Sequence, residues 1–423
     1  MKQRLTSLDV FRGMTIMLMT IVNNPGDWGH IYPPLEHAEW HGCTPTDLVF
    51  PFFLFIVGVS TVLSMPVKRF DGVVFGRIIT RTLRIFLLGL FLNFYSKIHI
   101  GELAGVSLML VRLGLTAIIT IALLGEYNRQ RQFVVATALF LLMIILAFVA
   151  EDFSTVRIPG VLQRIALVYL IVSVFYATTE TPVHIAVALV CLLGYWALMS
   201  LVPVPGIGEA NFEKGTNLAA WLDNVLLPGH LWSVSKTWDP EGILSTIPAI
   251  ATGIAGVLTG KMLTTVRFTS EKKALYLLLA GLSGVGIGLL WNMVFPINKA
   301  LWTSSFVFYT SGWALITLAI LYYIVDVLAV NFWTKPFVIF GVNPMVVFFF
   351  SGIVPRAFDA IKIPLNGKAA NDYPGLISWL YDYNIASLFS EPKNASLAGA
   401  LIYLLIWYVM LLYFYRRKLI FKV

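Results

Sequence analysis

A succession of long apolar runs constrains this chain more than any other feature of its sequence. The hydrocarbon core of a bilayer is crossed by about 20 residues of helix, and by that measure the runs predict about 12 membrane-spanning helices, with 11 as the alternative. We expect an all-α polytopic membrane protein that forms a single transmembrane domain over residues 1–423. The predicted spans lie near 8–23, 46–65, 74–95, 108–125, 132–150, 158–177, 183–202, 242–262, 273–294, 304–326, 335–353 and 397–415.

Composition supports the same class. Hydrophobic residues make up 58% of the 423 residues and charged residues only 12%, whereas soluble domains carry about 25% charge. The first apolar run is followed by Asn-Asn-Pro-Gly rather than by small residues, so we expect no cleavable signal peptide. Within 97–150 the helix boundaries blur, and the exact count there stays open.

The placement of basic residues predicts the orientation. With the N-terminus inside, 19 of the 30 Lys and Arg fall in inner segments and ten in outer segments, with Arg112 inside a span. The positive-inside rule then predicts that both termini are cytoplasmic, in a cell (inner or cytoplasmic) membrane, and that the long connections at about 24–45, 203–241 and 354–396 are extracytoplasmic. Because these charges flank apolar runs, we expect a lipid bilayer as the partner and no nucleic acid.

The first outer connection is rich in reactive side chains. It carries three of the six histidines of the chain, and His37 stands between Glu36 and Glu39. A neutral imidazole can take a proton from an amine or a hydroxyl group near neutral pH, so His37 is the better candidate for a general base. The alternative is a solvated loop histidine with no chemical role.

A metal site in this connection is the second alternative. His37 and His41 are four residues apart, and Cys43 and Asp47 follow. Zinc ligands at that spacing usually lie on a formed helix, whereas three prolines and a glycine interrupt this segment. We therefore expect no metal.

Two residues at the helix ends have both structural and chemical interpretations. Asn23 closes the first span, where its amide could hold an oxyanion or cap the helix. Asp47 opens the second span, where an acidic residue is favoured by the helix dipole. Asp47 could equally anchor His37 or His41.

Polar residues also occur where later spans begin. Gln163 and Arg164 extend into the apolar zone of the sixth span, and ionisable groups there by default face a partner or a cavity. Asp239 and Glu241 place two carboxylates just before the eighth span.

The connection before the tenth span contains Asn298, Lys299 and Trp302. These residues are candidates for substrate contacts. The alternative for the lysine and the tryptophan is an interfacial position, because both residue types are common where a bilayer meets water.

Three arginines lie at the inner end of the third span. Arg77, Arg81 and Arg84 recur at i, i+4 and i+7, which places them on one face of a helix. Guanidinium groups so arranged can bind phosphates bidentately. Positive-inside anchoring explains the same residues equally well.

Seven segments together resemble the heparan-α-glucosaminide N-acetyltransferase-like family of transmembrane acyltransferases, including its bacterial members. No single one of them would be specific. The segments are Asp9–Gly13, Val22–Asn23, His37–Trp40, Asp47–Pro51 continuing to Gly58, Arg157–Arg164, Asp239–Leu244 and Asn298–Trp302.

The resemblance implies transfer of an acetyl group across a membrane. Acetyl-CoA would be the co-substrate on the cytoplasmic side, and an amino sugar of the terminal glucosamine type, on an extracytoplasmic glycan, would be the acceptor. The family's catalytic histidine falls on His37 and its asparagine on Asn23, and we expect no large luminal domain ahead of the first span. The expected supporting residues are Glu39, His41, Asp47, Gln163, Arg164, Asp239, Glu241, Asn298, Lys299 and Trp302, and the expected CoA-binding residues are Arg77, Arg81 and Arg84.

The main rival function is a secondary transporter of a small solute. Twelve spans, helices interrupted by Pro and Gly, and buried arginines are typical of transporters. Transporters usually have two related halves, however, and 1–202 shows no repeat of 203–423. The acceptor sugar, the kinetic order and the oligomeric state, a homodimer among the alternatives, stay open.

Overall fold

The computed structural model describes residues 5–65, 70–367, 369 and 372–421, and all of its regular structure in these ranges is helical. The predicted all-α fold is therefore confirmed. Six residues of the charge count lie outside the described residues: Lys2, Arg4, Lys68, Arg69, Lys368 and Lys422. The helices are α1 Thr6–Asn23, α2 Val49–Ser64, α3 Gly72–Tyr95, α4 Gly105–Leu124, α5 Arg129–Val149, α6 Val161–Thr178, α7 Thr181–Leu201, α8 Leu218–Leu226, α9 Thr246–Thr264, α10 Ser270–Trp291, α11 Ser304–Leu321, α12 Lys335–Val342, α13 Pro344–Phe358, α14 Leu376–Leu380 and α15 Pro392–Arg416.

Eleven of the twelve predicted spans each overlap one α-helix, and the predicted span 335–353 covers two, α12 and α13. Among the described residues, nine helices are long and apolar enough to cross a membrane, and α12 with α13 would make a tenth if that pair, bent by 77°, is one span. The bend lies at Asn343-Pro344, where proline breaks the helical hydrogen bonding. The chain is thus built as a multi-pass membrane protein. The count of 12 spans and the cytoplasmic termini stay predictions.

The long outer connections contain more structure than the sequence predicts. The segment 203–241 includes α8, and the predicted loop 354–396 is shortened because α13 runs to Phe358 and α15 starts at Pro392. Helix α9 starts at Thr246 rather than at 242. The carboxylate of Asp223 accepts the N–H of Ile243 at 2.8 Å, which holds this stretch in a turn.

Alternate connections meet at one end of the helical bundle. Trp40 Nε1 donates to the carbonyl of Phe212 at 2.9 Å, and the amide of Gly42 donates to Ile297 at 2.7 Å. The connection after α5 joins the same end, because Ile158 N–H donates to the 203–241 segment. We call this the outer end, following the predicted orientation.

The remaining connections meet at the opposite end. Tyr176 at the end of α6 donates to the carbonyl of Met65 at 3.1 Å, and Lys261 of α9 donates to Thr181 of α7 at 2.9 Å. Asp326 caps the start of α1 through the N–H of Thr6 at 3.2 Å. This alternation is what successive crossings of one bilayer produce.

Small residues bring the central helices into contact. A Cβ on Gly58 of α2 would lie 2.0 Å from the carbonyl oxygen of Gly253 in α9, and one on Gly341 of α12 would lie 2.2 Å from that of Asp9 in α1. Apolar surface gives helices no preference for each other over lipid, so close backbone packing of this kind is a principal attraction between spans. It fixes α1, α2 and α9 beneath the outer connections.

The orientation is testable with single cysteines in a Cys43→Ser, Cys191→Ser background. Glu209→Cys lies in the outer 203–241 segment and Glu126→Cys in the connection after α4, and both positions are exposed. Because a charged maleimide cannot cross the bilayer, we expect it to label Glu209→Cys in intact cells and Glu126→Cys only after permeabilisation. The opposite pattern would reverse the predicted orientation.

Candidate functional site

Asp47 is fixed by the turn in which it lies. The short helix Pro45–Leu48 starts after Thr44, and the Oδ2 atom of Asp47 accepts hydrogen bonds from the Thr44 N–H at 3.0 Å and the Thr44 hydroxyl at 3.1 Å. The N–H of Ala38 donates to the same oxygen at 3.0 Å. The carboxylate is 1% exposed, and these bonds leave its Oδ1 atom available.

His37 uses that second oxygen. Its Nδ1 atom lies 2.7 Å from Asp47 Oδ1, while 53% of the His37 side chain is exposed. A carboxylate at Nδ1 favours the tautomer with the proton on that nitrogen, which places the lone pair that can accept a proton on Nε2. Both interpretations of Asp47 therefore apply: it closes its own turn and it anchors His37, not His41.

Lys299 completes this cluster. Its Nζ atom lies 3.0 Å from Nδ1 and 3.3 Å from Nε2 of His37, and 3.5 Å from Asp47 Oδ1. Burial lowers the pKa of Lys299, while Asp47 and Glu241 act in the opposite direction. The interpretation of Lys299 as a plain interfacial residue is thus wrong, since it pairs with the buried carboxylate.

The connection between α10 and α11 presents Lys299. Asn298, which is fully buried, accepts from the N–H of Leu301 at 2.9 Å, and its own N–H donates to Thr303 at 3.1 Å. Its side-chain amide lies 3.3 Å from His41 Nδ1. Asn298 therefore shapes the turn and holds His41 beside it.

Trp302 lies under the same turn and is completely buried. Its ring meets Phe50 at 4.8 Å between centroids, and its Nε1 donates to Thr252 at 3.2 Å. The backbone of Trp302 has φ +52°, a conformation in which non-glycine residues are uncommon. Trp302 is not an aromatic residue of the membrane interface; it packs the floor of the site.

A second charged cluster adjoins the first. Arg157 donates from Nε to Asp239 at 2.8 Å, and from Nη2 to Asp239 at 2.5 Å and to Glu241. Burial raises the pKa of Asp239. Burial would also raise the pKa of Glu241, but Arg157, Arg164 and Lys299 together hold it below its usual range. Lys299 is thereby the electrostatic link between the two clusters.

Arg157 is the residue that sequence reasoning missed. It lies in the segment Arg157–Arg164, but its pairing with Asp239 and Glu241 is not predicted from the sequence. An arginine directly before a span, followed by Pro-Gly, was the available signal.

Arg164 lies deeper, at 1% exposure. Its Nη2 atom donates to the carbonyl of Gly242 at 3.1 Å and to Ser245 at 2.5 Å, and its guanidinium lies 5.1 Å from the centre of the Trp302 ring. It joins α6 to the start of α9.

Asn23 lies in a cavity beside these clusters. The cavity has a volume of about 350 Å³, and we call it the outer cavity. Among the described residues no hydrogen bond joins Asn23 to His37, and it is Asn24 that forms the C-cap of α1. The polar residues lining the outer cavity are Asn23, Asn24, Asn93, Arg157, Gln163, Ser351 and Arg356.

The remaining side chains of the first outer connection are less involved. Glu39 is exposed, and in the part of the chain that the structure describes it forms no ion pair. Burial, reinforced by Asp47, raises the pKa of the Cys43 thiol to about 12, so it is not a thiolate nucleophile near neutral pH. No group of three His, Cys, Asp or Glu side chains within the described ranges could hold a metal ion.

The three inner arginines line one cavity. Arg77, Arg81 and Arg84 surround a space of about 730 Å³ together with Arg129 of α5, and we call it the inner cavity. The guanidinium of Arg81 lies 4.7 Å from the centre of the Tyr169 ring, and its buried Nε atom has no hydrogen-bond partner. Arg84 donates from Nε to the carbonyl of Leu123.

The two cavities lie along the same pair of helices, α3 and α6. Helix α3 lines the inner cavity as far as Arg84 and the outer cavity from Gly89 onward. Five residues of helix correspond to about 7.5 Å along the axis. The α3 residues in this interval include Leu87 and Leu88, which are fully buried.

The sequence of this chain is similar to those of known acetyltransferases. Residues 4–157 match the family model described as heparan-alpha-glucosaminide N-acetyltransferase, catalytic. Heparan-alpha-glucosaminide N-acetyltransferase of Homo sapiens is 30% identical over 398 residues, which cover 82% of this chain and 52% of the relative. The chain is a relative of heparan-alpha-glucosaminide N-acetyltransferase. The Mus musculus protein of the same name is 26% identical over 474 residues, covering 99% of this chain and 60% of the relative.

The resemblance seen in the sequence motifs is confirmed by these matches. The chain spans little more than half the length of the curated relatives, 52% and 60%. The matched interval 4–157 contains His37, Asp47 and the inner arginines, together with the first residue of the Arg157–Arg164 segment.

The cluster around Arg157 should be required for stability. Arg157→Met leaves two buried carboxylates without their cation, which costs about 3–5 kcal/mol. Because Arg157 helps to keep the pKa of Glu241 low, its stabilisation is present at neutral pH and is lost as pH falls. Thermal unfolding in detergent should show a large deficit at pH 7 that shrinks toward about pH 4.

The matched control is Arg267→Met, at an exposed position after α9. It should change the free energy of unfolding by no more than about 0.5 kcal/mol. Equal unfolding temperatures for Arg157→Met and Arg267→Met would contradict the role assigned to the cluster.

Proposed function

We propose that this protein is a membrane-embedded N-acetyltransferase that moves an acetyl group from cytoplasmic acetyl-CoA to an amino sugar on the extracytoplasmic side. The observation that carries the proposal is the contact of 2.7 Å between His37 Nδ1 and the buried carboxylate of Asp47. The relation to the named acetyltransferases supports the type of reaction.

His37 would act as the general base. When an amine attacks the thioester carbonyl, its nitrogen becomes positively charged and must lose a proton for a stable amide to form. His37 Nε2 accepts that proton, and Asp47 stabilises the resulting imidazolium through Nδ1. The half-exposed position of His37 leaves room for an acceptor that arrives from the outer solution.

The inner cavity would bind the donor. Its arginines stand at the end of the bundle where CoA is available if the predicted orientation holds, and guanidinium groups are well suited to phosphates. A volume of about 730 Å³ is within the usual range for ligand pockets. The acyl end of the donor would then extend along α3 and α6 toward the outer cavity.

The transporter alternative has one structural observation in its favour, the bent pair α12 and α13. In transporters such a break exposes backbone groups to a substrate. Here the side chain of Asn343 at the break is engaged, because it donates to Leu419 at 3.0 Å and accepts from Phe421 at 2.9 Å. The break therefore serves to dock the segment that follows α15.

His37→Ala should lower the rate of acetyl transfer by about 10²–10⁴, the usual contribution of a general base. Binding of acetyl-CoA and the unfolding temperature should be unchanged. The measurement is transfer of radiolabelled acetyl from acetyl-CoA to glucosamine by the purified protein in detergent.

His99→Ala is the matched control, since His99 is an exposed histidine of another outer connection. It should transfer acetyl at the parent rate, and His41→Ala should fall between the two. Parent-like turnover in His37→Ala would rule out the assignment, and equal losses at His37 and His41 would favour the metal interpretation.

Arginine variants of α3 and α5 test the proposed donor site. Arg129 lines the inner cavity and Arg131, two residues further on, does not. Loss of one charge-assisted phosphate contact costs about 1.5–3 kcal/mol, so Arg129→Gln and Arg81→Gln should each weaken CoA binding by about ten- to a hundredfold in calorimetry. Arg131→Gln should bind like the parent. If all three variants bind CoA as tightly as the parent, the arginines only anchor the inner end.

A further inference from the structure

The N-terminus of α6 has no side-chain cap. Its first N–H groups have no acceptor within the helix, and the N-cap residue is Gly160, which provides no capping side chain. Gly160, Val161, Leu162 and Gln163 all line the outer cavity. A helix N-terminus carries partial positive charge and aligned N–H donors, so it favours a negatively charged oxygen nearby.

The side chain of Gln163 adds a separate observation. It is 3% exposed, it lines the outer cavity, and its Nε2 atom has no hydrogen-bond partner. An unsatisfied buried amide is unfavourable, and a ligand that supplied an acceptor would remove that cost. Its N–H groups need an acceptor such as a carbonyl oxygen.

Two glycines make room for that amide. A Cβ on Gly89 of α3 would lie 2.3 Å from Gln163 Oε1, and one on Gly160 would lie 2.7 Å from the same atom. Any larger residue at either position would displace the amide. The packing thus fixes the side chain of Gln163 at the N-terminus of α6.

The position along the bundle is also informative. In the proposed function the acyl end of the donor reaches the outer cavity, and Asn23 and Arg157 share the wall of that cavity. Arg157 is paired with Asp239 and Glu241, so its charge is largely neutralised by these two carboxylates. Among the described residues that line the outer cavity, Gln163 is the one whose side chain carries a buried donor without a hydrogen-bond partner.

We propose that the N-terminus of α6 and the Gln163 amide form the oxyanion hole that binds the acyl carbonyl oxygen of the donor thioester. This inference rests on the proposed function and assigns Gln163 as a catalytic residue. The ligand chemistry is that of an acyl thioester whose oxygen gains negative charge during transfer.

In the step so assigned, the acceptor nitrogen forms a bond to the thioester carbon. The electron pair of the carbonyl moves to oxygen, which the Gln163 Nε2–H and the N–H groups of α6 stabilise. When the carbonyl re-forms, the carbon–sulfur bond breaks, and the proton that His37 took from the amine is passed to the departing CoA thiolate. The products are an N-acetyl group and free CoA.

Gln163→Met tests the assignment, because methionine has similar length and no N–H donor. Removal of one oxyanion donor costs about 10²–10³ in kcat. The KM for acetyl-CoA and the unfolding temperature should be nearly unchanged, because the contact strengthens only in the transition state. A KM rise with unchanged kcat would assign Gln163 to substrate binding and overturn the proposal.

Infrared difference spectroscopy gives a readout that needs no turnover. Acetyl-CoA labelled with ¹³C at the carbonyl is bound to the parent and to Gln163→Met without acceptor. Hydrogen-bond donors weaken the C=O bond, so the band should move to lower wavenumber in the parent and move back in the variant. An equal band position in both proteins overturns the oxyanion hole even where acetyl transfer is intact.

A matched pair of glycine variants distinguishes displacement of the Gln163 amide from a nonspecific effect of replacing a helix glycine. Gly89→Ala should push the Gln163 amide aside and reproduce the loss of kcat and of the infrared shift. Gly114→Ala is the control in the adjacent helix α4, since a Cβ there meets nothing within 4 Å. If the parent neither binds nor transfers the acetyl group, the proposed function fails together with this inference. Parent-like kinetics in Gly89→Ala contradict the inference alone.

Discussion

The structure depends on how it satisfies charges that are removed from water. An isolated buried charge is too costly to keep, so each must be paired and hydrogen-bonded. Asp47 meets this requirement with backbone donors, His37 and Lys299. Arg157 meets it with Asp239 and Glu241, and Lys299 acts on both groups. These pairings tie four outer connections into one surface.

That surface explains how loops can hold a chemical group in position. His37 lies on a connection without long helices, yet its orientation is set by a carboxylate fixed through three donors. The close glycine contacts of α2 with α9 and of α1 with α12 place the connections above a rigid base. In the proposed function His37 is therefore held in position before the acceptor arrives, so little entropy remains to be lost in orienting it.

The two cavities along α3 and α6 suggest a division of tasks. The inner cavity has four arginines and would hold phosphates, whereas the outer cavity is dominated by amide groups and the start of α6. The side chains between them are buried, so an acyl donor that bridges both needs a local opening of this interval. A single continuous pore would dissipate ion gradients, and a closed interval avoids this. In the proposed function the acyl group would have only a short distance to travel.

The sequence by itself determined the all-helical class and the positions of the long helices, and it indicated His37, Asp47 and the inner arginines as candidate site residues. Those features follow from local rules: apolar length, the i, i+4, i+7 periodicity, and residue chemistry. Only the tertiary structure decided that Asp47 pairs with His37 rather than His41, that Lys299 reaches them from a position more than 250 residues away, and that Arg157 neutralises Asp239 and Glu241. It also moved Trp302 from the expected interface to the core and separated Asn23 from direct contact with His37. Such pairings join residues that are distant in the chain, and no periodicity encodes them, because they arise only when helices pack and buried charges find the nearest partner.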